Sequence, residues 1–159
     1  YFASAVGEVN ATTLMHEKGA IIGGEGNGGV IYPAIHSGRD AMVGVALFLS
    51  NLAHKKMTVS ELKKTYPEYH IAKNKIELSD KGLIDKILSE LKVIYAHENV
   101  NDIDGVKISF EDKREWVHLR KSNTEPIIRI YSEAPTEEEA VKKNEKVIAV
   151  AEKIISSAK

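Results

Sequence analysis

Apolar and polar residues alternate along two neighbouring stretches in the second half of the sequence. Val106, Ile108 and Phe110 alternate with polar residues, the turn-forming sequence EDKR follows, and Val117 and Leu119 alternate in the same way. Such alternation is typical of strands with one buried face, and a short polar turn between them is typical of a β-hairpin. The chain must therefore build an antiparallel sheet with one face on a core.

Two further strands and two helices flank this hairpin in the sequence. One strand is expected near residues 69–78 and another around Ile128 and Ile130. The first helix is expected to begin at a Ser79 cap, and the last opens with a capping box from Thr136 to Glu139. Their apolar faces comprise Ile84, Ile87, Leu88 and Leu91 in the first helix, and Ala140, Val141, Val147, Ile148, Ala151, Ile154 and Ile155 in the last. We predict an α+β domain whose antiparallel sheet packs on two helices.

The first third of the chain has a different pattern. Residues 10–18 have helical content, and the sequence GAIIGGEGNGGVIYP then reads as strand, glycine-rich loop and strand. Asp40 is a suitable N-cap for the next helix, which has almost no polar face and is therefore expected to be covered on most sides. We predict an α/β portion that precedes the α+β domain.

The composition changes between these two parts. The sequence HKKMTVSELKKTYPEYHIAKNK is polar and basic, with a short helix expected over residues 59–65 and ended by Pro67. We therefore divide the chain into residues 1–55, a linker or hinge at 56–68, and a second domain at 69–159.

Composition also excludes several classes of function. Twenty-two basic against 23 acidic residues give a formal net charge of −1, without the basic field that attracts nucleic acid or an anionic membrane. No cysteine is present, which excludes disulfides and cysteine-bound zinc and agrees with a cytoplasmic location. The longest apolar stretch, AMVGVALFLSNLA, is shorter than the roughly 20 residues needed to span a bilayer. We expect neither a nucleic-acid partner nor a membrane.

The sequence RKSNTEPIIRIYSEA joins two of the predicted strands. Arg120 ends one strand and Arg129 lies in the next, so a turn between them can bring the two guanidinium groups together. Ser122, Asn123 and Thr124 add hydroxyl, amide and backbone N–H donors. Converging arginines repel each other unless an anion lies between them, and arginine suits bidentate phosphate contact. This loop is a candidate phosphate site.

A second interpretation of the same loop needs no ligand. Ser, Asn, Thr and Pro also make a good turn, and Arg120 and Arg129 would then be solvated or paired with Glu125 and Glu133. The spacing alone does not separate the two interpretations.

The sequence GGEGNGG allows close backbone approach to a ligand, because glycine has no Cβ atom. Its functional side chains are Glu25 and Asn27, two positions apart, which can hydrogen-bond neighbouring hydroxyls of a sugar. The alternative is a mobile hairpin tip. The loop is not a dinucleotide fingerprint, because a strand rather than a helix follows it.

Together the two loops resemble those of the α-D-phosphohexomutase superfamily, which includes phosphoglucomutase, phosphomannomutase and phosphoglucosamine mutase. The sequence VGEVNATTLMHEKGAIIGGEGNGGVIYP followed by GRDAMVGVALFL resembles the latter part of the family's third domain. IDGVKISF through RKSNTEPIIRIYSEA resembles its fourth domain with the phosphate-binding loop. The resemblance covers nearly the whole chain.

The resemblance implies a reaction and its cofactors. Members move a phosphoryl group between the C1 and C6 oxygens of a hexose phosphate, through a phosphoserine, Mg²⁺ and a hexose 1,6-bisphosphate intermediate that reorients. The substrate would be glucose, mannose or glucosamine phosphate, and nothing in this sequence is tied to the C2 position where they differ. A stand-alone sugar-phosphate-binding module is the alternative, and a nucleic-acid-binding sheet domain is a third possibility that the neutral charge disfavours.

The resemblance also assigns residues. Glu25 and Asn27 would bind the O3 and O4 hydroxyls of the sugar, although many members have Ser in place of Asn27. Gly29 and Glu8 are departures, because many members have His at the first position and some at the second. The phosphate that is not transferred would be held by Arg120, Ser122, Asn123, Thr124 and Arg129.

Neither the family's nucleophilic serine loop nor its Asp-rich Mg²⁺ loop is found in the sequence. No catalytic residue and no metal ligand is therefore assigned, and we expect the chain alone to be inactive. Asp102 and Asp104 are spaced like metal ligands, but two carboxylates are too few for a cation, and a turn before the next strand explains them better. The first residues, YFASAVGEVN, lack an initiator Met, so we expect a piece of a longer protein.

Overall fold

A computed structural model of the protein describes residues 1–78, 82–122 and 124–157. The chain forms two compact units, Tyr1–Pro67 and Glu68–Lys159. Among the described residues, no helix is both long and apolar enough to cross a bilayer.

The first unit contains a small antiparallel sheet and three helices. Asp40 caps the second helix as predicted, since its Oδ1 accepts a hydrogen bond from the Val43 N–H at 3.0 Å. The sheet order is β1-β2-β3. The elements are α1 (Glu8–Lys18), β1 (Gly23–Gly24), β2 (Val30–Tyr32), β3 (His36–Arg39), α2 (Ala41–Lys55) and α3 (Val59–Lys63).

The predicted strand–loop–strand order is present, with two differences. Ile21 and Ile22 are exposed, and the first strand is only the pair Gly23–Gly24. A third strand, His36–Arg39, was not predicted, because its sequence HSGR has no apolar alternation. It forms through pairing with β2, where Arg39 lies opposite Ile31.

The expectation that α2 is covered on most sides is wrong for this chain. Met42 is 77% exposed, and Val45, Phe48 and Leu49 are also exposed. The helix packs closely against β2 at Gly44, where a Cβ atom would lie 3.2 Å from Val30.

The segment before the second unit is partly helical. Thr58 and Glu61 form a capping box at the start of α3, and Leu62 is buried. The helix itself agrees with the sequence pattern. The division into residues 1–55, 56–68 and 69–159, with a hinge in the middle, stays a prediction.

The second unit is an antiparallel sheet with two helices, as the sequence predicted, and the sheet has a fifth strand, Asn99–Asn101, that was not predicted. The strand order is β4-β8-β7-β6-β5. A short 3₁₀ turn, Glu111–Lys113, joins the predicted hairpin. The elements are β4 (His70–Glu77), α4 (Gly82–Ile94), β5 (Asn99–Asn101), β6 (Val106–Phe110), β7 (Glu115–Lys121), β8 (Ile127–Ala134) and α5 (Glu137–Ser157).

The core of this unit lies between the sheet and the two helices. Val117 faces Ile108 on one side and Ser132 on the other, and Leu119 faces Ile130. All four predicted apolar residues of α4 are buried: Ile84, Ile87, Leu88 and Leu91. The predicted Ser79 cap lies outside the described residues.

The predicted stripe of α5 needs one correction. Val141 is exposed, whereas Asn144 is buried. The buried residues of α5 are spaced by alternating steps of four and three, and position 144 falls on that line while position 141 does not. Periodicity thus places a polar residue against the sheet.

A tight turn leads into β6 at Gly105. This residue has φ of +81°, and a Cβ atom there would lie 2.2 Å from the Leu119 carbonyl oxygen. Glycine is therefore required both by conformation and by space. The turn confirms the interpretation of Asp104 as a residue that introduces a strand.

We expect Ile87→Ala to lower the free energy of unfolding of the second unit by about 2–5 kcal/mol, because it leaves a cavity in the core. Ile87 is fully buried in the core cluster. Val93→Ala in the same helix is the control; Val93 is 75% exposed, so a change within about 0.5 kcal/mol is expected. Urea titration can be followed by Trp116, the sole tryptophan, which lies on β7. Equal losses in both variants would contradict the packing of α4.

Limited proteolysis tests the predicted hinge. Trypsin is expected to cut first within residues 56–68, where Lys56, Lys63 and Lys64 are exposed. Mass spectrometry should then find a stable piece that begins near Tyr69. Early cuts within residues 106–131 would show that the predicted boundary is wrong.

Candidate functional site

The glycine-rich loop is a tight turn at the tip of the β1–β2 hairpin. The Gly28 N–H donates to the Glu25 carbonyl at 3.0 Å, and the Glu25 N–H donates to the Gly29 carbonyl at 3.0 Å. Gly28 has φ of +92°, which explains a glycine at this position. The turn brings Glu25 and Asn27 to the same end of the hairpin.

Asn27 stabilises the loop with one of its two polar atoms. Its Oδ1 accepts a hydrogen bond from the Gly29 N–H at 2.9 Å. The Nδ2 hydrogens thus remain available to donate to a ligand hydroxyl. Asn27 also lines an open cavity of about 440 Å³ together with Glu8, Arg39 and Asp40.

Arg39 connects the loop to the first helix, and the sequence did not predict this contact. Its Nη1 lies 3.1 Å from Glu25 Oε2, and its Nε donates to Glu8 Oε2 at 2.9 Å. The backbone N–H of Arg39 donates to the other oxygen of Glu8 at 2.8 Å. The pKa of Glu8 is lowered, mainly by this backbone N–H and to a smaller extent by the guanidinium group. No local pattern marks the contact, because residues 8, 25 and 39 are far apart in sequence.

Asp40 borders the same cavity, and His36 contacts it from β3. The Val43 N–H and then the His36 side chain lower the pKa of Asp40, whose Oδ2 lies 3.0 Å from His36 Nε2. Asp40 is thus held both by the helix it caps and by the imidazole.

The predicted arginine pair lies on two neighbouring interior strands of the second unit's sheet. Arg120 on β7 is directly opposite Arg129 on β8. In the connecting loop, the Ser122 N–H donates to the Ile127 carbonyl at 3.0 Å, and Ser122 Oγ lies 3.4 Å from Thr124 Oγ1. The strand register therefore makes the two arginines direct neighbours, and the loop brings the two hydroxyls together. Asn123 lies outside the described residues.

Each arginine has an acidic neighbour. Asp104 Oδ2 lies 3.6 Å from Arg120 Nε, and Glu125 Oε2 lies 3.5 Å from Arg129 Nη2. The Glu125 contact agrees with the ligand-free interpretation of the loop. Glu133, the other carboxylate considered there, accepts instead from Trp116 Nε1 at 2.9 Å. The Arg129–Glu125 pair is exposed and contributes little to stability, whereas the Arg120–Asp104 pair is partly buried.

His118 lies on the same face of β7 as Arg120. Its Nε2–H donates to the Asp104 carbonyl oxygen at 2.5 Å. The turn before β6 is thus fixed to this strand by His118 and by the close approach of Gly105. The alternation of side chains along a strand explains the shared face, whereas the partner of His118 depends on the fold.

Within the described ranges, no group of three or more His, Asp or Glu side chains is placed to hold a metal ion. None of these residues is therefore assigned to Mg²⁺.

Comparison with known proteins connects the two loops. The family model for the alpha/beta/alpha domain III of phosphoglucomutase/phosphomannomutase matches residues 1–69, and the model for the C-terminal domain matches residues 73–150. The chain belongs to the phosphoglucomutase/phosphomannomutase family. The glycine-rich loop lies in the first of these domains, and the arginine pair lies in the second.

Among the relatives in this family, a phosphoglucosamine/phosphogalactosamine mutase of Sulfurisphaera tokodaii is 37% identical over 83% of this chain and 29% of its own length. A phosphoglucomutase/phosphomannomutase of Thermococcus kodakarensis is 39% identical over 85% of this chain and 29% of its own length. The crystal structure of a phosphoglucomutase/phosphomannomutase family protein from Burkholderia thailandensis matches 92% of this chain and 32% of its own length, with a TM-score of 0.69 and 23% identity. That structure supports the fold. The chain thus spans about a third of these proteins.

Proposed function

We propose that this chain is the last part of a phosphohexomutase, which interconverts hexose 1-phosphate and hexose 6-phosphate through a bisphosphorylated sugar. The observation that carries the proposal is the arginine pair. Arg120 and Arg129 lie directly opposite each other beside Ser122 and Thr124, within the match to the family's C-terminal domain. In this proposal the part described here recognises the substrate, and the phosphoryl transfer takes place on other residues.

The arginine pair would hold the phosphate that is not transferred. Guanidinium groups donate two parallel hydrogen bonds to phosphate oxygens, and the hydroxyls of Ser122 and Thr124 add neutral donors. Asn123 completes the set by the family resemblance. The phosphate would compete with Asp104 and Glu125, whose contacts at 3.5 to 3.6 Å are long for ion pairs.

The glycine-rich loop would hold the sugar. Glu25 accepts hydrogen bonds from hydroxyls, and the Nδ2 of Asn27 donates them, so neighbouring hydroxyls can meet both. Asn27 borders the cavity of about 440 Å³ described above. Contacts to both the phosphate and the sugar hydroxyls would fix the orientation of the substrate. Phosphoryl transfer depends mainly on such positioning and on electrostatic stabilisation.

The names of the relatives suggest the substrate class. They include a phosphoglucosamine/phosphogalactosamine mutase and a phosphoglucomutase/phosphomannomutase. We propose a hexose or hexosamine phosphate as substrate, with glucose, mannose and glucosamine phosphate as the first candidates. Mg²⁺ would be held by residues outside this chain, and a hexose 1,6-bisphosphate would be the intermediate that this part helps to bind.

The 159-residue chain alone is expected to show no mutase turnover, because neither a serine loop nor an Asp-rich loop occurs in its sequence. The measurement is a coupled assay with glucose 1-phosphate, Mg²⁺ and a bisphosphate primer. Turnover above background by the chain alone would contradict the proposed division between recognition and transfer. A longer polypeptide that contains the chain should be active with at least one of the candidate substrates.

In that longer polypeptide, Arg129→Ala should lower kcat/KM roughly ten- to hundredfold, because a charge-assisted contact contributes about 1.5–3 kcal/mol. Arg129→Lys should recover only part of the loss, since an ammonium group lacks the bidentate geometry. Lys113→Ala is the control, because Lys113 is an exposed cation before the opposite end of β7. A lower melting temperature with unchanged kcat/KM in Arg129→Ala would show a structural role instead.

A further inference from the structure

Arg39 lies between two carboxylates that come from different elements. Glu8 is in the first turn of α1, and Glu25 is in the glycine-rich loop. The guanidinium group reaches both, with Nε at 2.9 Å from Glu8 Oε2 and Nη1 at 3.1 Å from Glu25 Oε2. Arginine suits this arrangement because its nitrogens are fixed in one plane and point in different directions.

The carboxylate of Glu25 depends on this contact. Its side chain is only 16% exposed, and its Oε2 is buried without a hydrogen bond of good geometry among the described residues. A buried carboxylate oxygen is costly unless a charge or a donor compensates it. Arg39 supplies that charge, so the Glu25 carboxylate is held in place by the guanidinium group of Arg39.

Gly29 provides the space that Arg39 occupies. A Cβ atom at Gly29 would lie 2.6 Å from Arg39 Cδ and 3.2 Å from its Cγ. The backbone of Gly29 is not in the left-handed region, so conformation alone does not require glycine there. A side chain at position 29 would push the arginine away from Glu25.

We propose that Arg39 is a positioning residue for sugar recognition. It holds Glu25 by Oε2 and leaves Oε1 to accept a hydrogen bond from a sugar hydroxyl, while Glu8 fixes the arginine from the other side. The inference rests on the proposed function, in which Glu25 binds the sugar. It adds Arg39 to the site. It also gives Gly29 and Glu8 a common role, because Gly29 leaves space for the Arg39 side chain and Glu8 holds it in place.

A purely structural role for Arg39 would give a different result. The contact with Glu8 alone joins α1 to β3, and its loss would change stability without a specific effect on the substrate. The side chain of Arg39 is 46% exposed, and exposed ion pairs contribute little to stability. Substrate affinity and stability therefore have to be measured on the same variants.

The kinetic experiment uses the longer, active polypeptide. Arg39→Ala should raise KM for the hexose phosphate about tenfold or more, with a smaller effect on kcat, because the lost contact is to a part of the sugar that does not react. Arg39→Lys should recover only part of the affinity. Gly29→Ala should raise KM in the same direction, and the exposed cation Lys64, in the same unit, supplies the control Lys64→Ala, which should leave KM unchanged.

A double variant tests whether Arg39 acts through Glu25. If it does, adding Arg39→Ala to Glu25→Ala should change KM by less than about twofold, because the shared contact is already lost. If the increase in KM of the double variant equalled the product of the increases in the two single variants, the substitutions would act independently, and the proposal would be overturned. So would an Arg39→Ala variant with an unchanged KM and a lower melting temperature.

The 159-residue chain provides a second measurement that needs no activity. In a carboxyl NMR titration, Arg39→Ala should shift the Glu25 carboxyl resonance and raise the pKa of Glu8 part of the way to its usual value, since the backbone N–H of residue 39 still donates. If neither the Glu25 resonance nor the pKa of Glu8 changed in Arg39→Ala, the contacts of Arg39 with these two carboxylates would be disproved. An inactive wild-type polypeptide with the expected NMR changes would instead reject the proposed function and leave the Glu25–Arg39 contact in place.

Discussion

The pairing of β7 with β8 determines both the core and the candidate phosphate site of the second unit. Leu119 faces Ile130 within the core, and the next pair along the strands is Arg120 with Arg129. Because successive side chains of a strand point to opposite faces, the register that buries the aliphatic pair also places the two arginines together on the other face. A slip of one residue would bury the charges and expose the core, so the register is strongly fixed.

The first unit is organised differently. Few of its apolar residues are buried, and Ile31 is the only one in its small sheet within the described range. Polar contacts of Arg39 and Asp40 connect β3 to α1, to the glycine-rich loop and to α2. Exposed ion pairs give little stability but do define geometry. The loop that carries Glu25 is thus positioned mainly by charges and by glycines that make room for them.

The sequence predicted what depends on local periodicity. The β6–β7 hairpin, the buried face of α4 and the capped start of α2 follow from neighbouring residues. The strands β3 and β5 were missed because their sequences, HSGR and NVN, are short and polar and form strands only by pairing. The ligand-binding roles of the site residues stay predictions, and the sequence did not indicate the carboxylate partners of Arg39 and Arg120. The contacts of Arg39 with Glu25 and of Arg120 with Asp104 join residues 14 or more positions apart, and only the folded register brings them together.

The two arginines differ in how firmly they are held. Asp104, the neighbour of Arg120, belongs to a turn that Gly105 and His118 fix against β7. Glu125, the neighbour of Arg129, lies in the exposed loop four residues earlier, and both side chains of that pair are about half exposed. Breaking the second pair costs little, because water solvates both groups. In the proposed reaction, a phosphate would therefore meet Arg120 in a fixed position and draw Arg129 away from Glu125. Since one ion pair replaces another, the affinity for the phosphate would be moderate. A moderate affinity suits a site that must release the bisphosphate and bind it again after the bisphosphate has reoriented.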